Sequence, residues 1–342
     1  MAVNENDDVI VRDDYSLRTH NTFGIDVKCR RFVEFENDHE AMEVAEMLRE
    51  STLPFLIIGE GSNLLLTRDF DGIVVRSGIK GYTFETGDRM VCGSGEVWDD
   101  MVATSIEAGY YGMENLSLIP GDVGASAVQN IGAYGVEAKD LILCVWAIEI
   151  ETGGTCIVDR DVCEYGYRQS RFKHDWKNKF LITRVSYGLS RAFQPHLDYG
   201  NIRQELQRKG ITSPSAQQLR DTIIEIRNAK LPDPKIEGNA GSFFMNPVVS
   251  REQYERLAAL YEGMPHYRVD DEHEKIPAGW MIDQCGWKGK SLGRAGVHDR
   301  QALVLVNRGG ATGAEIVALS DAIRRDVKER FGVDIHPEVN II

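Results

Sequence analysis

The sequence predicts a mixed protein of interleaved strands and helices, α/β or α+β, with a separate C-terminal segment. Three observations carry this. Apolar patterning switches repeatedly between strand-like and helix-like periods. Two glycine-rich loops lie at 59–65 and 120–135. A breaker, "LPDPK" at 231–235, ends a long amphipathic helix and marks a boundary.

The elements follow in order. "DHEAMEVAEMLRES" (38–51) reads as a helix capped near Asn37 or Asp38, and "PFLIIG" (54–59) as a buried strand. "GIVVRS" (72–77) is a second strand, giving a βαβ-like opening. The middle holds the strands "RMVCGSG", "LCVWAIEI", "TCIVDR" and "FLITRVSYGLS", with a helix at 97–109 among them. Residues 118–135 read as one long glycine-rich loop. "SPSAQQLRDTIIEIRNAK" (213–230) is a helix with a Ser cap and an early Pro. Beyond the breaker, helices are expected at about 250–261 and at 312–331, the second starting after Thr312 and stopping at Gly332. Strands are expected at 302–307 and 333–342.

Composition bounds the function. A chain of 342 residues, 42% hydrophobic and 27% charged, is long enough for two or three domains. The opening "MAVNENDDVIVRDD" is acidic and has no apolar core, so no secretory signal is read there and a cytoplasmic protein is expected. The best apolar run, Leu141 to Ala147, is too short to span a bilayer. The net charge of −14 argues against nucleic-acid binding. Six cysteines form no C-x-x-C pair, and eight histidines form no H-E-x-x-H, so no metal site is expected. The basic residues Arg268, Lys275, Lys288, Lys290, Arg294, Arg300 and Arg308 form a candidate cluster for an anionic ligand, or an ordinary solvated surface.

The two glycine loops can bring backbone N–H groups close to phosphates. Neither is a Rossmann fingerprint: the first lacks the third glycine and the helix that should follow. "GWKGKS" (286–291) fails as a P-loop, because Gln284 stands where that spacing needs glycine. Ser242, in "GNAGSFFMNP", has no G-x-S-x-G elbow around it.

Seven blocks in fixed order carry a resemblance. They are "NTFGID" (21–26), "GEGSNLL" (59–65), "ENLSLIPGDVGASAVQNIGAYGVE" (114–137), "YGYRQSRFK" (165–173), "LPDPKIEGNAGSFFMNP" (231–247), "PAGWMIDQCGWKG" (277–289) and "HPEV" (336–339). Together they closely resemble the UDP-N-acetylenolpyruvoylglucosamine reductase family, from about residue 16 to the end. The resemblance implies an α+β flavoprotein of three domains, with a vanillyl-alcohol-oxidase (PCMH)-type FAD-binding fold rather than a Rossmann fold. The implied boundaries are 1–78 and 79–230 for FAD and 231–342, a C-terminal α/β domain, for the UDP-sugar, with the last strand placed back on the first part. "LDYGNI" (197–202) and "SAVQNIGAYG" are similar to the type I members.

The implied reaction reduces the enolpyruvyl ether of UDP-N-acetylglucosamine enolpyruvate to a lactyl ether, giving UDP-N-acetylmuramate for peptidoglycan. Electrons pass from NADPH through noncovalent FAD. Ser242 matches the family's proton donor, with Gly241 allowing close approach and Phe243 and Phe244 excluding water. Arg168 resembles the arginine for the substrate carboxylate, and Glu338 the active-site glutamate. Implied FAD contacts are Thr22, Gly59, Gly61, Ser62 and Asn63 in the early blocks. Pro120, Gly121, Ser126, Asn130, Gly132, Tyr134 and Gly135 follow in the long loop. Implied UDP-sugar contacts are Tyr199, Lys230, Asn246 and Tyr267, then Lys275, Lys288 and Gln301. His298 is read as structural. Met245 departs from a position often basic in relatives. The rival readings are another FAD-dependent oxidase or dehydrogenase of the same fold, and a nucleotide-sugar binding protein. No obligatory protein partner is inferred.

Overall fold

A computed structural model describes residues 9–342, so the first eight residues of the acidic N-terminal stretch lie outside the described residues. By its contacts the chain divides into two compact units. The first holds the described residues up to Tyr15, Cys29–Glu60 and Phe70–Ala229; the second holds Ser16–Lys28, Gly61–Asp69 and Lys230–Ile342.

Among the described residues the first unit contains two large sheets and a short two-stranded hairpin, Gly132–Ala133 with Val136–Glu137. One has four strands in the order Ile10–Ser16, Lys28–Phe35, Phe70–Ser77, Phe55–Ile58. Phe70–Ser77 pairs in parallel with strands on both sides, so the βαβ opening is present. The intervening helix, Asp38–Glu50, starts where Asn37 accepts a hydrogen bond from the Glu40 N–H. Its apolar face, Ala41, Val44, Ala45 and Leu48, shares a core with Val33, Phe35 and Val75 of this sheet and with Ile148 and Leu181 of the next. Burial of each large side chain in such a core contributes about 2 kcal/mol.

The second sheet is antiparallel, in the order Thr155–Asp159, Ile142–Glu149, Phe180–Gly188, Arg89–Gly93, Tyr82–Glu85. All four middle strands read from the sequence are here. The helix Trp98–Glu107 lies over it, with Trp98 edge-on to Tyr187 at 5.5 Å and both rings fully buried. The helix Ala216–Lys230 packs Leu219, Ile223 and Ile226 against Ile202 and Leu206 of a helix, Ile202–Arg208, that the sequence did not suggest. Its cap is Ser215, reciprocally bonded with Gln218, so Pro214 precedes the cap rather than entering the first turn.

One expectation needs correction here. Residues 118–135 are not a continuous loop, because Val123–Gln129 is a helix. Its small residues hid it from a periodicity argument. They also explain it: a Cβ on Gly124 would stand 3.0 Å from Ser94 Cβ, so the helix lies tight on the chain beneath.

The second unit is built on an antiparallel sheet, Gly238–Ser242, Val304–Asn307, Ala295–Val297, Ser291–Leu292. Against it packs Gly313–Phe331, with a Thr312–Glu315 capping box and Gly332 closing it at φ 65°. A three-stranded sheet joins Val248–Ser250, His273–Lys275 and Tyr267–Arg268. The expected strand over 333–342 shrinks to Asn340–Ile341, which pairs in parallel with Leu64–Leu65. Pro337 lacks an N–H for a ladder, and before it only an isolated bridge to Phe244 forms. Among the described residues no helix is long and apolar enough to cross a membrane.

Candidate active site

In the first unit the two glycine loops meet through a side chain. Glu60 Oε2 accepts the Gly121 N–H at 2.9 Å. Beside this link, a Cβ on Gly59 would stand 3.2 Å from both Ala125 Cβ and Asp122 Oδ2. Asp122 is only 3% exposed, and its Oδ1 has no hydrogen-bond partner among the described residues. Arg76 Nη2 lies 3.8 Å from Asp122 Oδ2, while Arg76 Nε is buried with no partner of its own. Burial pushes the Asp122 carboxyl up to about 7, against the pull of Arg76 and with the push of Glu60. The sequence reading missed Asp122, Arg76 and Glu60, since nothing local says that three separate segments converge.

The rest of the second loop is a hairpin around Tyr134 and Gly135, at φ 48° and 83°. Both central residues at positive φ give the backbone twist of a two-residue hairpin. Asn115 Nδ2 donates to the Tyr134 carbonyl at 3.0 Å. Burial raises the Tyr134 hydroxyl's pKa, opposed by Arg227, whose guanidinium it meets. Two candidate cofactor residues spend their side chains inside the fold. Ser126 Oγ donates to the Val123 carbonyl and meets the Tyr187 hydroxyl at 2.8 Å. Asn130, at φ 46°, ends the helix; its amide bonds Glu137, Gly166 and the Lys139 N–H. Both side chains are buried and tie the loop together.

Arg168 occupies a tight turn at φ 57°, closed by reciprocal Gly166 and Gln169 backbone bonds. Its guanidinium reaches the carbonyls of Gly132, at 2.6 Å, and Asn130, at 3.4 Å. Gly132 is needed there, since a Cβ would stand 3.2 Å from Arg168 Nη1. Tyr199 is half exposed, its ring 3.6–3.7 Å from where a Gly135 Cβ would sit. The first unit therefore gathers Gly132, Gly135, Arg168 and Tyr199 around one hairpin.

In the second unit Thr22 donates both N–H and Oγ1 to the Gly61 carbonyl. Gly61 cannot carry a side chain, as a Cβ would fall 2.1 Å from the His20 carbonyl oxygen. Asn63 Nδ2 donates to the Glu338 carbonyl at 3.4 Å. Ser242 ends its strand exposed, opposite Val304 and after Gly241 at φ 67°. Phe243 and Phe244, by contrast, are core residues with 0% and 1% exposure. They anchor the strand rather than line an open face, because alternate residues of a strand point oppositely and the following bridge turns the second ring inward too. The Glu338 N–H donates to the Phe243 carbonyl, so Ser242 and Glu338 lie on adjoining chains.

The expected sugar-binding residues divide. Tyr267 and Lys275 are register partners, with the ammonium 6.0 Å from the ring centroid. Asn246 Oδ1 accepts the Ala278 N–H and so caps the helix Ala278–Gln284. Gln301 Oε1 accepts the Leu303 N–H, and Lys288 reaches Asp283 at 3.3 Å. Lys230 is exposed at the end of its helix. His298 is buried, which lowers its pKa, and its Nδ1 accepts the Arg300 N–H. The basic cluster is partly neutralised: Arg268 pairs with Asp271, Arg294 with Glu315, and Arg308 with Glu237 and Asp299. Four of the seven basic residues, Lys288 among them, therefore face acidic side chains.

Comparison with known proteins places these features. Residues 29–155 match an FAD binding domain, and 233–342 match the C-terminal domain of UDP-N-acetylenolpyruvoylglucosamine reductase. A UDP-N-acetylenolpyruvoylglucosamine reductase of Bacteroides fragilis is 55% identical over 96% of this chain and 99% of its own length. The chain belongs to the UDP-N-acetylenolpyruvoylglucosamine reductase family. The counterpart from Pseudomonas aeruginosa is 47% identical over 95% of this chain and 97% of its own. A solved UDP-N-acetylenolpyruvylglucosamine reductase from Thermus caldophilus covers 98% of both chains at TM-score 0.67 and 21% identity, which speaks for the fold. p-Cresol methylhydroxylase, at TM-score 0.50 and 10% identity over 91% of this chain and 82% of its own, extends that fold likeness to the expected PCMH type. The first unit's residues fit an FAD. Asp122 Oδ1 and Arg76 Nε are buried polar atoms with no hydrogen-bond partner among the described residues.

Proposed function

We propose that the chain reduces the enolpyruvyl ether of UDP-N-acetylglucosamine enolpyruvate to UDP-N-acetylmuramate, a step toward peptidoglycan, with NADPH as reductant. The observation that carries this reading is the 55% identity to a reductase of that name over nearly the whole of both chains. When bound, FAD supplies the two-electron chemistry that lets a nicotinamide and an alkene react in turn.

The residues take these roles. Arg168 binds the substrate carboxylate. Its planar fork is held by two loop carbonyls and suits the two oxygens of a carboxylate. Reduction at the methylene carbon builds negative charge toward that carboxylate, so a fixed cation there counts most in the transition state. Ser242 then gives its hydroxyl proton to the neighbouring carbon. An exposed Oγ at a strand end suits a group that must reach a ligand. Glu338, on the adjoining chain, polarises the enolpyruvyl carboxyl. Thr22, Gly61, Ser62 and Asn63, with Gly59, Pro120, Gly121, Gly132, Tyr134 and Gly135, hold FAD. Ser126 and Asn130, on the helix Val123–Gln129 and its cap, belong to the same FAD-holding set. Tyr199, Lys230, Asn246, Tyr267, Lys275, Lys288 and Gln301 hold the UDP-sugar. We assign FAD to 1–78 and 79–230 and the sugar to 231–342, and place the reaction in the cytoplasm, with NADPH and the UDP-sugar as its partners.

An anaerobic visible spectrum of the purified protein tests this. NADPH should bleach a flavin band, and UDP-N-acetylglucosamine enolpyruvate should restore it. Bleaching without return would favour an oxidase of the same fold, and no flavin band after FAD is supplied would end the cofactor assignment.

A further inference from the structure

The polar cluster under the glycine loops has a composition that selects among the parts of a dinucleotide. Asp122 faces Arg76, Glu60, Lys80 and Glu34. Lys80 is itself engaged by the Gly95 carbonyl and the Glu96 carboxylate. The Gly121 N–H, which an anion would use, is already taken by Glu60. Arg76 stands 3.8 Å from Asp122 and 3.9 Å from Glu34, beyond hydrogen-bond distance of either. With the Gly121 N–H engaged and an unpaired buried oxygen beside it, the site suits a hydrogen-bond donor rather than an anion. The acceptor in place is Asp122 Oδ1, buried and without a hydrogen-bond partner among the described residues.

Resting on the FAD reading above, we propose that Asp122 accepts a hydrogen bond from a sugar-type hydroxyl of bound FAD, on its ribityl or ribose chain, and is ionised in that state. A buried carboxyl left half satisfied is stabilised by keeping its proton, and a hydroxyl donor stabilises the carboxylate instead. FAD loading therefore releases the Asp122 proton to solvent. The sign follows: the free protein binds FAD more tightly as pH rises through the Asp122 titration. With that carboxyl at about 7 in the free protein, the ionised fraction climbs from about one-tenth at pH 6 to about nine-tenths at pH 8.

The test is a titration of the full-length, flavin-free chain with FAD, between pH 6 and 8. Affinity should rise by roughly tenfold over that range. Calorimetry at pH 7, in two buffers of different ionisation enthalpy, should read the release of about half a proton. Asp122→Asn, which keeps the shape and an acceptor oxygen, should bind FAD with a flat pH profile and no proton release. Riboflavin and ADP, titrated separately, separate the two sources: the pH dependence should follow riboflavin for the ribityl chain and ADP for the ribose. A flat wild-type profile overturns the proposal while leaving the cofactor reading intact. So does proton uptake, the outcome expected if a phosphate lay there. A wild-type slope that survives in Asp122→Asn overturns it as well. A chain that binds no FAD at any pH overturns this proposal and the cofactor reading together.

Discussion

The backbone N–H of Glu338 donates to the carbonyl of Phe243, the residue after Ser242, at 2.8 Å. The Met245 N–H returns a bond to the His336 carbonyl, and Phe244 bridges Pro337 between them. Two residues nearly a hundred positions apart are therefore held in register by main chain alone. Their side chains can be changed without disturbing that frame.

Ser242→Ala should fold normally and keep reduction of its flavin by NADPH. It should lose oxidation by the enolpyruvyl substrate by about 10²- to 10⁴-fold, the usual span for a proton-transfer group. Anaerobic stopped-flow of the two half-reactions measures this. Equal loss in both halves would make Ser242 a shaping residue.

Arg168→Lys should retain flavin content and the NADPH half-reaction, and should raise KM for the enolpyruvyl substrate by about 10- to 100-fold. A single ammonium cannot hold the Gly132 and Asn130 carbonyls and still present a fork. Steady-state kinetics against each substrate decides. An unchanged KM for the UDP-sugar would remove Arg168 from carboxylate binding.

Tyr199→Ala should weaken binding of the UDP-sugar more than that of FAD. The ring is half exposed and rests on Gly135, so its loss opens a surface without removing a core. Binding isotherms for the two ligands compare the effects, and an unchanged sugar affinity would rule out a covering role.

Two glycines should respond differently to alanine. At Gly61 the new Cβ collides with the His20 carbonyl, and the φ of 74° adds strain. A cost above about 3 kcal/mol is expected. At Gly241 nothing lies within 4 Å, and only the φ of 67° is unfavourable. About 1–2 kcal/mol should be lost. Denaturant unfolding of both variants reads the difference, and equal costs would refute the steric account.

Asp122→Asn should alter stability in a pH-dependent way in the flavin-free chain. The wild-type carboxyl binds its proton more tightly folded than unfolded, moving from 3.8 to about 7. Its contribution is full below about pH 4 and is lost as pH rises to 7. The variant avoids that loss. Relative to wild type it should gain a few kcal/mol between pH 5 and pH 8 in urea unfolding. A difference that does not change with pH would mean Asp122 is ionised throughout.

Local chemistry was decided by the sequence alone. Asn37, the Thr312–Glu315 box and Gly332 set helix ends because a cap depends only on residues within one turn. The middle strands were legible from their apolar patterning, and the ordered blocks pointed to the family and its fold. Tertiary structure decided what depends on meetings between distant segments. The small-residue helix Val123–Gln129 has no periodic signal, and it exists because Gly124 lets it lie tight on Ser94. The last strand was cut to Asn340–Ile341, paired with Leu64–Leu65, while the stretch around Pro337 makes only a bridge to Phe244. Acidic partners for Arg268, Arg294 and Arg308 offset part of a basic cluster that the sequence showed only as a count. Asp122 shows the same limit most plainly. Its identity was on view from the start, but its buried, half-satisfied carboxyl arises only because Gly59, Arg76 and Glu60 close around it, and desolvation is a property of neighbours rather than of the residue.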